Sequence, residues 1–141
     1  MIYEQLIKLE IDSKIDSIAL LAKAIRAICG TVVSDEVMLY NIELCLVEAV
    51  ANVINHAYHR KPGNCVEVVI TLDDHHVTFQ IIDNGDKACI EAPQTELNYD
   101  SADISSWPES GMGLFLIYRI MDEVSFSEHE GKNILTMKKK I

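Results

Sequence analysis

Positive charge is scarce in this sequence. Lys and Arg number 12 against 22 Asp and Glu, a formal net charge of −10. That balance argues against a nucleic-acid backbone as the main partner and permits a basic protein. From Ala88 to Ser110 there are five acids and no Lys or Arg. Cysteine is sparse too: Cys29, Cys45, Cys65 and Cys89 show no CxxC spacing. Buried free thiols are expected rather than zinc ligands or disulfides, which fits a reducing cytoplasm. No apolar run approaches a membrane span, and Met1–Glu10 lacks the pattern of a signal peptide. The expectation is a cytoplasmic protein with no membrane partner. Internal repeats and low-complexity tracts are absent. What is present is a 49% apolar chain of 141 residues, enough for one domain over 1–141 with a real core.

The stretch Leu44–Tyr58, LCLVEAVANVINHAY, is long, apolar and free of Gly and Pro, and predicts a buried helix. At about 100° per residue, Glu48, Asn52, Asn55 and His59 share a stripe roughly 60° wide, with His56 beside it. Leu46, Val50, Val53 and Ala57 take the opposite side. A solvated face usually pairs Lys with Glu one turn apart. Two Asn one turn apart are poor helix formers. The row is either an ordinary polar face or a line of oxygen ligands and a base turned toward a ligand.

Around it, residues 3–11 predict a strand. Ser13 is a candidate N-cap for a helix from Lys14 to Cys29, with Ile15, Ile18, Ala19, Ala22, Ile25 and Ile28 as its apolar face and Gly30 as its end. Ser34 is a candidate cap for the central helix, which should run to about His59. Lys61-Pro62-Gly63-Asn64 is a turn cluster. Cys65–Leu72 and Val77–Ile82 predict a hairpin whose tip is Asp73-Asp74-His75. Residues 83–110 lose periodicity, and a loop that long is usually functional. A helix over Leu114–Met121 and a last hairpin, Glu123–Glu130 and Asn133–Ile141, complete the chain. Consecutive strands that pair as hairpins imply an α+β, two-layer α/β sandwich, with a mostly antiparallel mixed sheet and helices on one face.

Three pieces carry chemistry. An Asn such as Asn52 can coordinate Mg²⁺ through its carbonyl oxygen, and Glu48, one turn away, can deprotonate a hydroxyl. Asp83-Asn84-Gly85 follows Phe79, Ile81 and Ile82. A carboxylate leaving a sheet there needs a donor, which either a ligand amino group or the turn itself supplies. Gly111-Met112-Gly113 opens a helix, where backbone N–H groups can meet an anion. No Gly-Lys-Ser/Thr follows it, so it is not a Walker loop.

In this order the pieces resemble the bacterial anti-sigma factor serine kinases, within the superfamily of histidine kinase, gyrase, MutL and heat-shock chaperone ATPases. The matching boxes are Glu48-Ala49-Val50-Ala51-Asn52 with Asn55-His56, then Asp83-Asn84-Gly85, then Gly111-Met112-Gly113-Leu114 running into Met121-Asp122-Glu123-Val124. The resemblance implies a Bergerat-type ATP-binding fold with ATP and Mg²⁺. It implies that Glu48 is the catalytic base toward a protein serine, that Asn52 holds the metal, and that Asp83 accepts from the adenine amino group. Asn55, His56, Gly85, Lys87, Ser110, Gly111, Met112, Gly113 and Leu114 would complete the nucleotide site, under a lid at about 86–110. The implied function is phosphorylation of an anti-sigma factor antagonist and sequestration of a sigma factor, in a homodimer; the first strand and the nearby helix are the expected dimer surface. An ATP-binding partner switch without phosphotransfer is the alternative. Relatives often carry D-x-G-x-G, a basic residue before the G-x-G box, and a Thr near the start of the last strand. This chain has Lys87, Pro108-Glu109-Ser110 and Lys132-Asn133 at those places. Lys87 or Arg119 would then stand in for the basic residue, or phosphate contact is weaker, or a basic partner lines the lid; the Asn133 amide would stand in for the Thr.

Overall fold

The computed structural model describes residues 4–87 and 112–141. Ser110, Gly111 and nearly all of the expected lid lie outside the described residues. The first strand, β1, is Gln5–Asp12. It is followed by α1 (Asp16–Cys29) and α2 (Glu36–Asn52), which a π-helical turn over Val53–Ala57 prolongs. The hairpin strands are β2 (Cys65–Leu72) and β3 (His76–Asp83). Then come α3 (Met112–Ile120), β4 (Glu123–His129) and β5 (Lys132–Lys140).

The five strands lie in the order β1-β2-β3-β5-β4. Every pairing is antiparallel, so the mixed character expected of the sheet is absent among the described residues. Alternation along β2 sends Val66, Val68, Ile70 and Leu72 to the helix layer, where each is nearly inaccessible. Val77, Phe79 and Ile81 of β3 do the same. Against them pack Leu39, Ile42, Cys45, Leu46, Val50 and Ile54, together with Leu21 and Ile25 of α1 and Ile117 of α3. The architecture is the two-layer α+β sandwich with helices on one face.

Local details differ from expectation in instructive ways. Ser13 does not cap α1, whose N-cap Ile15 makes no side-chain bond. The buried Ser13 hydroxyl instead donates to Lys61 O (2.6 Å) and accepts from Asn64 N–H (3.1 Å), fastening the turn cluster to the end of β1. Asp35, not Ser34, caps α2: its Oδ1 accepts from Val37 N–H (2.9 Å) and Met38 N–H (3.3 Å). The buried face of α1 is Leu21, Ala22, Ile25 and Cys29, whereas Ile15 is 52% and Leu20 73% exposed. Gly30 ends α1 in right-handed geometry, φ −62°, without a left-handed cap.

Glu36–Ala57 spans 22 residues and contains an 18-residue window of mean hydropathy 1.7, long and apolar enough to cross a membrane by length and composition. Glu43 and Glu48 interrupt it, so it is not an unbroken apolar run. Its apolar side is spent on the core, with Ile42, Cys45, Val50 and Ile54 at 0% exposure. Burial also pushes the Cys29 and Cys45 thiols up to about 12, so both stay protonated and unreactive at neutral pH. Cys65 is an exposed free thiol.

Candidate functional site

The end of the central helix is built by the π turn. Tyr58 N–H donates to Val53 O at 3.0 Å, five residues back, and Arg60 N–H reaches Ile54 O at 2.8 Å. The widened turn adds a residue to the helical ladder, a device found frequently at functional sites. It also ends the helix before His59. That residue and Arg60 have φ of 52° and 61°, so His59 does not continue the stripe of Glu48, Asn52 and Asn55. Successive left-handed non-glycine residues are costly and are held by partners here. His59 Nε2 lies 2.6 Å from Asp86 Oδ2, and Arg60 Nε donates to Asn55 Oδ1 at 3.0 Å. Glu48, Asn52 and Asn55 are half-buried and His56 is exposed.

The end of β3 closes onto that helix end. A Cβ on Gly85 would stand 2.5 Å from Ala57 O and 2.9 Å from Ala57 Cβ. Only glycine permits this approach, and it lets Asp86 N–H donate to Ala57 O at 3.0 Å. Gly85 is therefore required by the backbone of the helix end. The Tyr58 hydroxyl, 5% exposed at the level of its residue, lies 2.6 Å from Cys65 O and accepts from Asn84 N–H at 3.0 Å. Burial raises the Tyr58 pKa, the Asn84 N–H lowers it, and the nearby Asp83 charge raises it. The phenol thus enters the network as a neutral donor and acceptor.

Asp83 is 7% exposed. Its Oδ1 accepts from Gly85 N–H (3.0 Å), the expected turn bond, and from Asn133 Nδ2 (2.9 Å). Asn133 faces Asp83 directly in the β3–β5 register, and its amide also reaches Gly85 O at 3.2 Å.

The start of α3 meets the central helix at one point. A Cβ on Gly113 would lie 3.1 Å from Glu48 Cδ and 3.3 Å from Glu48 Cβ, and would overlap the carboxylate oxygen. The carboxylate thus lies directly against the backbone of the first turn of α3. Leu114 is half-buried against the core. The two residues expected to stand in for a missing basic group are otherwise engaged. Lys87 Nζ is 3.2 Å from Glu128 Oε2 on β4. The Arg119 guanidinium lies 5.7 Å from the centre of the Phe115 ring. Among the described residues no group of three or more His, Cys, Asp or Glu converges on a metal position. A divalent ion at this site would rely on Asn52 with ligand phosphates and water.

Residues 11–139 match the histidine kinase-like ATPase domain family. The chain belongs to that family. Relatives in it include the serine-protein kinases RsbW of Bacillus cereus and Bacillus anthracis, each 24% identical over 134 residues, covering 94% of this chain and 83% of theirs. Among solved structures, the RsbU and RsbW domains of a Mycobacterium tuberculosis protein superpose with a TM-score of 0.66 at 16% identity. That match covers 96% of this chain and 32% of the other. The SiaB–SiaC complex from Pseudomonas aeruginosa superposes with a TM-score of 0.57 at 17% identity, covering 94% and 89%. These structural likenesses are likenesses of fold.

Of the site residues read from the sequence, Glu48 with Gly113, and Asp83 with Gly85, are brought together, and both groups border the central helix. Tyr58 and Arg60 were not singled out by sequence. Tyr58 reads there as one more apolar residue, and Arg60 as part of a solvated turn. Their contacts depend on the π turn, which periodicity does not announce.

Proposed function

We propose that this chain is an ATP-dependent protein serine kinase that phosphorylates an anti-sigma factor antagonist and, in a partner-switching cycle, sequesters a sigma factor. The observation that carries this reading is the packing of Gly113 on Glu48. It sets a carboxylate beside the N-terminus of a helix, where backbone N–H groups favour phosphate. A base and an anion cradle are thereby adjacent.

In this reading Asn52 holds Mg²⁺ through its carbonyl oxygen, and Asp83 accepts from the amino group of the base. Gly111, Gly113 and adjoining backbone, with Ser110, Met112 and Leu114, meet the phosphates, while Asn55, His56 and Lys87 border the ligand. ATP supplies the phosphoryl group. Glu48 receives the proton of the acceptor serine hydroxyl, whose oxygen takes the phosphoryl group as ADP leaves. Nearly all of this catalysis is positioning, and half-burial of Glu48 and Asn52 suits that task. The protein would act in the cytoplasm as a homodimer.

A second reading has its own observation. Lys87 is tied to Glu128 and Arg119 to Phe115, and residues 88–110 carry no cation. A nucleotide-binding partner switch without phosphotransfer would tolerate that scarcity. The two readings separate on Glu48→Ala with Mg-ATP and a cognate antagonist. A kinase loses serine phosphorylation and keeps ATP binding, whereas a switch loses neither binding nor partner exchange. Absence of transfer by the wild-type protein under these conditions sinks the kinase reading.

A further inference from the structure

The turn Asp83-Asn84-Gly85 is gripped from two sides by side chains that belong to neither the base nor the phosphate machinery proposed above. From the helix side comes Tyr58. Its ring is part of the core, and its hydroxyl meets Cys65 O at 2.6 Å, Asn84 Oδ1 at 2.8 Å and Asn84 N at 3.0 Å. A phenol has one proton to donate, so its role toward the Asn84 N–H is that of acceptor. It ties the start of β2, the end of the central helix and the middle of the turn at one atom.

From the sheet side comes Asn133. Its Nδ2 has two N–H groups and three acceptors in reach: Asp83 Oδ1 at 2.9 Å, Gly85 O at 3.2 Å and Asp86 O at 3.4 Å. Asp83 Oδ1 thus receives two donors, Asn133 Nδ2 and Gly85 N–H. Two N–H bonds to one oxygen fix the carboxylate plane and occupy that oxygen, leaving Oδ2 to face a ligand.

We propose that Tyr58 and Asn133 are positioning residues for Asp83, and that their joint grip sets the site's selectivity for a purine bearing a 6-amino group. The proposal rests on the reading that Asp83 faces the base. With Oδ1 saturated and the turn unable to rotate, the carboxylate can meet a ligand only as an acceptor. A ligand amino group satisfies it, while a ligand without a donor leaves a buried carboxylate oxygen unpaired. Release of either grip lets Asp83 rotate and pair with water or the turn instead. Discrimination falls, and affinity for a base that never used the carboxylate does not.

The test is calorimetric titration of the full chain with Mg-ATP and with Mg-purine riboside triphosphate, which lacks the 6-amino group. The proteins are wild type, Tyr58→Phe and Asn133→Ala, with circular dichroism to check folding. Wild type should prefer ATP by roughly tenfold or more. In each variant that ratio should fall at least threefold, with purine riboside triphosphate binding unchanged within twofold. Preserved discrimination in both variants overturns the proposal while leaving the reading of Asp83 intact. Equal weakening of both ligands also overturns it, marking a merely structural role. No preference in the wild type overturns the reading of Asp83 and the proposal with it. Should Tyr58→Phe not fold, Asn133→Ala decides the matter, because its side chain sits at the edge of the turn.

Discussion

Gly113 and Glu48 share a space that a single side chain fills. A methyl group on Gly113 would stand 3.1 Å from Glu48 Cδ and overlap the carboxylate. Gly113 lies within α3, where Ala is favoured over Gly by about 1 kcal/mol. Gly113→Ala should therefore leave unfolding stability within about 1 kcal/mol of wild type while turning the Glu48 carboxylate aside. A displacement of that order costs roughly a hundredfold in a positioned reaction. Serine phosphorylation rates and urea unfolding on the same protein check this. A wild-type transfer rate would show that Glu48 is not held by Gly113.

Gly85 presents the opposite case, because the neighbour is backbone. Gly85→Ala would press a Cβ to 2.5 Å from Ala57 O, and main chain cannot swing away. The expected loss is about 1–3 kcal/mol, together with the Asp86 N–H bond to Ala57 O. The urea midpoint reads it directly, and an unchanged midpoint refutes the packing argument.

Arg60 holds a φ of 61° next to His59 at 52°. Relief of left-handed strain by glycine is worth about 1–2 kcal/mol, and the exposed bond to Asn55 contributes about 0–1 kcal/mol. Arg60→Gly should thus be neutral or mildly stabilising, whereas Arg60→Val, β-branched at positive φ, should be clearly less stable. Thermal melts of the pair test the sign, and equal melting temperatures would contradict it.

Asp122 sets an acid limit on the junction of α3 and β4. The Lys140 N–H bonded to its Oδ2 at 2.6 Å, and to a lesser degree Lys139, hold its carboxyl below the ordinary 3.8. A folded pKa that is depressed contributes stability above the ordinary value and loses it as pH falls through the folded value. Asp122→Asn should be less stable at pH 7 by about 1 kcal/mol or less, since the group is partly solvated. The difference should close as pH falls below 3.8. A difference constant from pH 7 to pH 2 would rule out the charge as its cause.

The strands and the central helix were legible because their signal is local. Alternation in Val66–Leu72 and the apolar face of Leu39–Val50 follow from period alone. The α1 face was legible in part: Ala22 and Ile25 are buried and Ile18 and Ile28 pack against the core, but Ile15 and Ala19 are exposed while Leu21 and Cys29 are buried, a choice that only packing against α2 and the sheet makes. The caps were misassigned for a related reason. Ser13 and Asp35 are both cap-type residues, but Ser13 is claimed by Lys61 O and Asn64 N–H across the chain.

The sequence by itself determined the three chemistry-bearing boxes, their order, and the layered α+β architecture, since residue type and short-range period encode all of these. Only the tertiary structure decided who touches whom. The π turn takes His59 out of the helical row, the β3–β5 register places Asn133 on Asp83, and the approach of α3 presses Gly113 onto Glu48. The last two contacts join residues far apart in the chain, and their geometry is fixed by packing and register, which no local window contains.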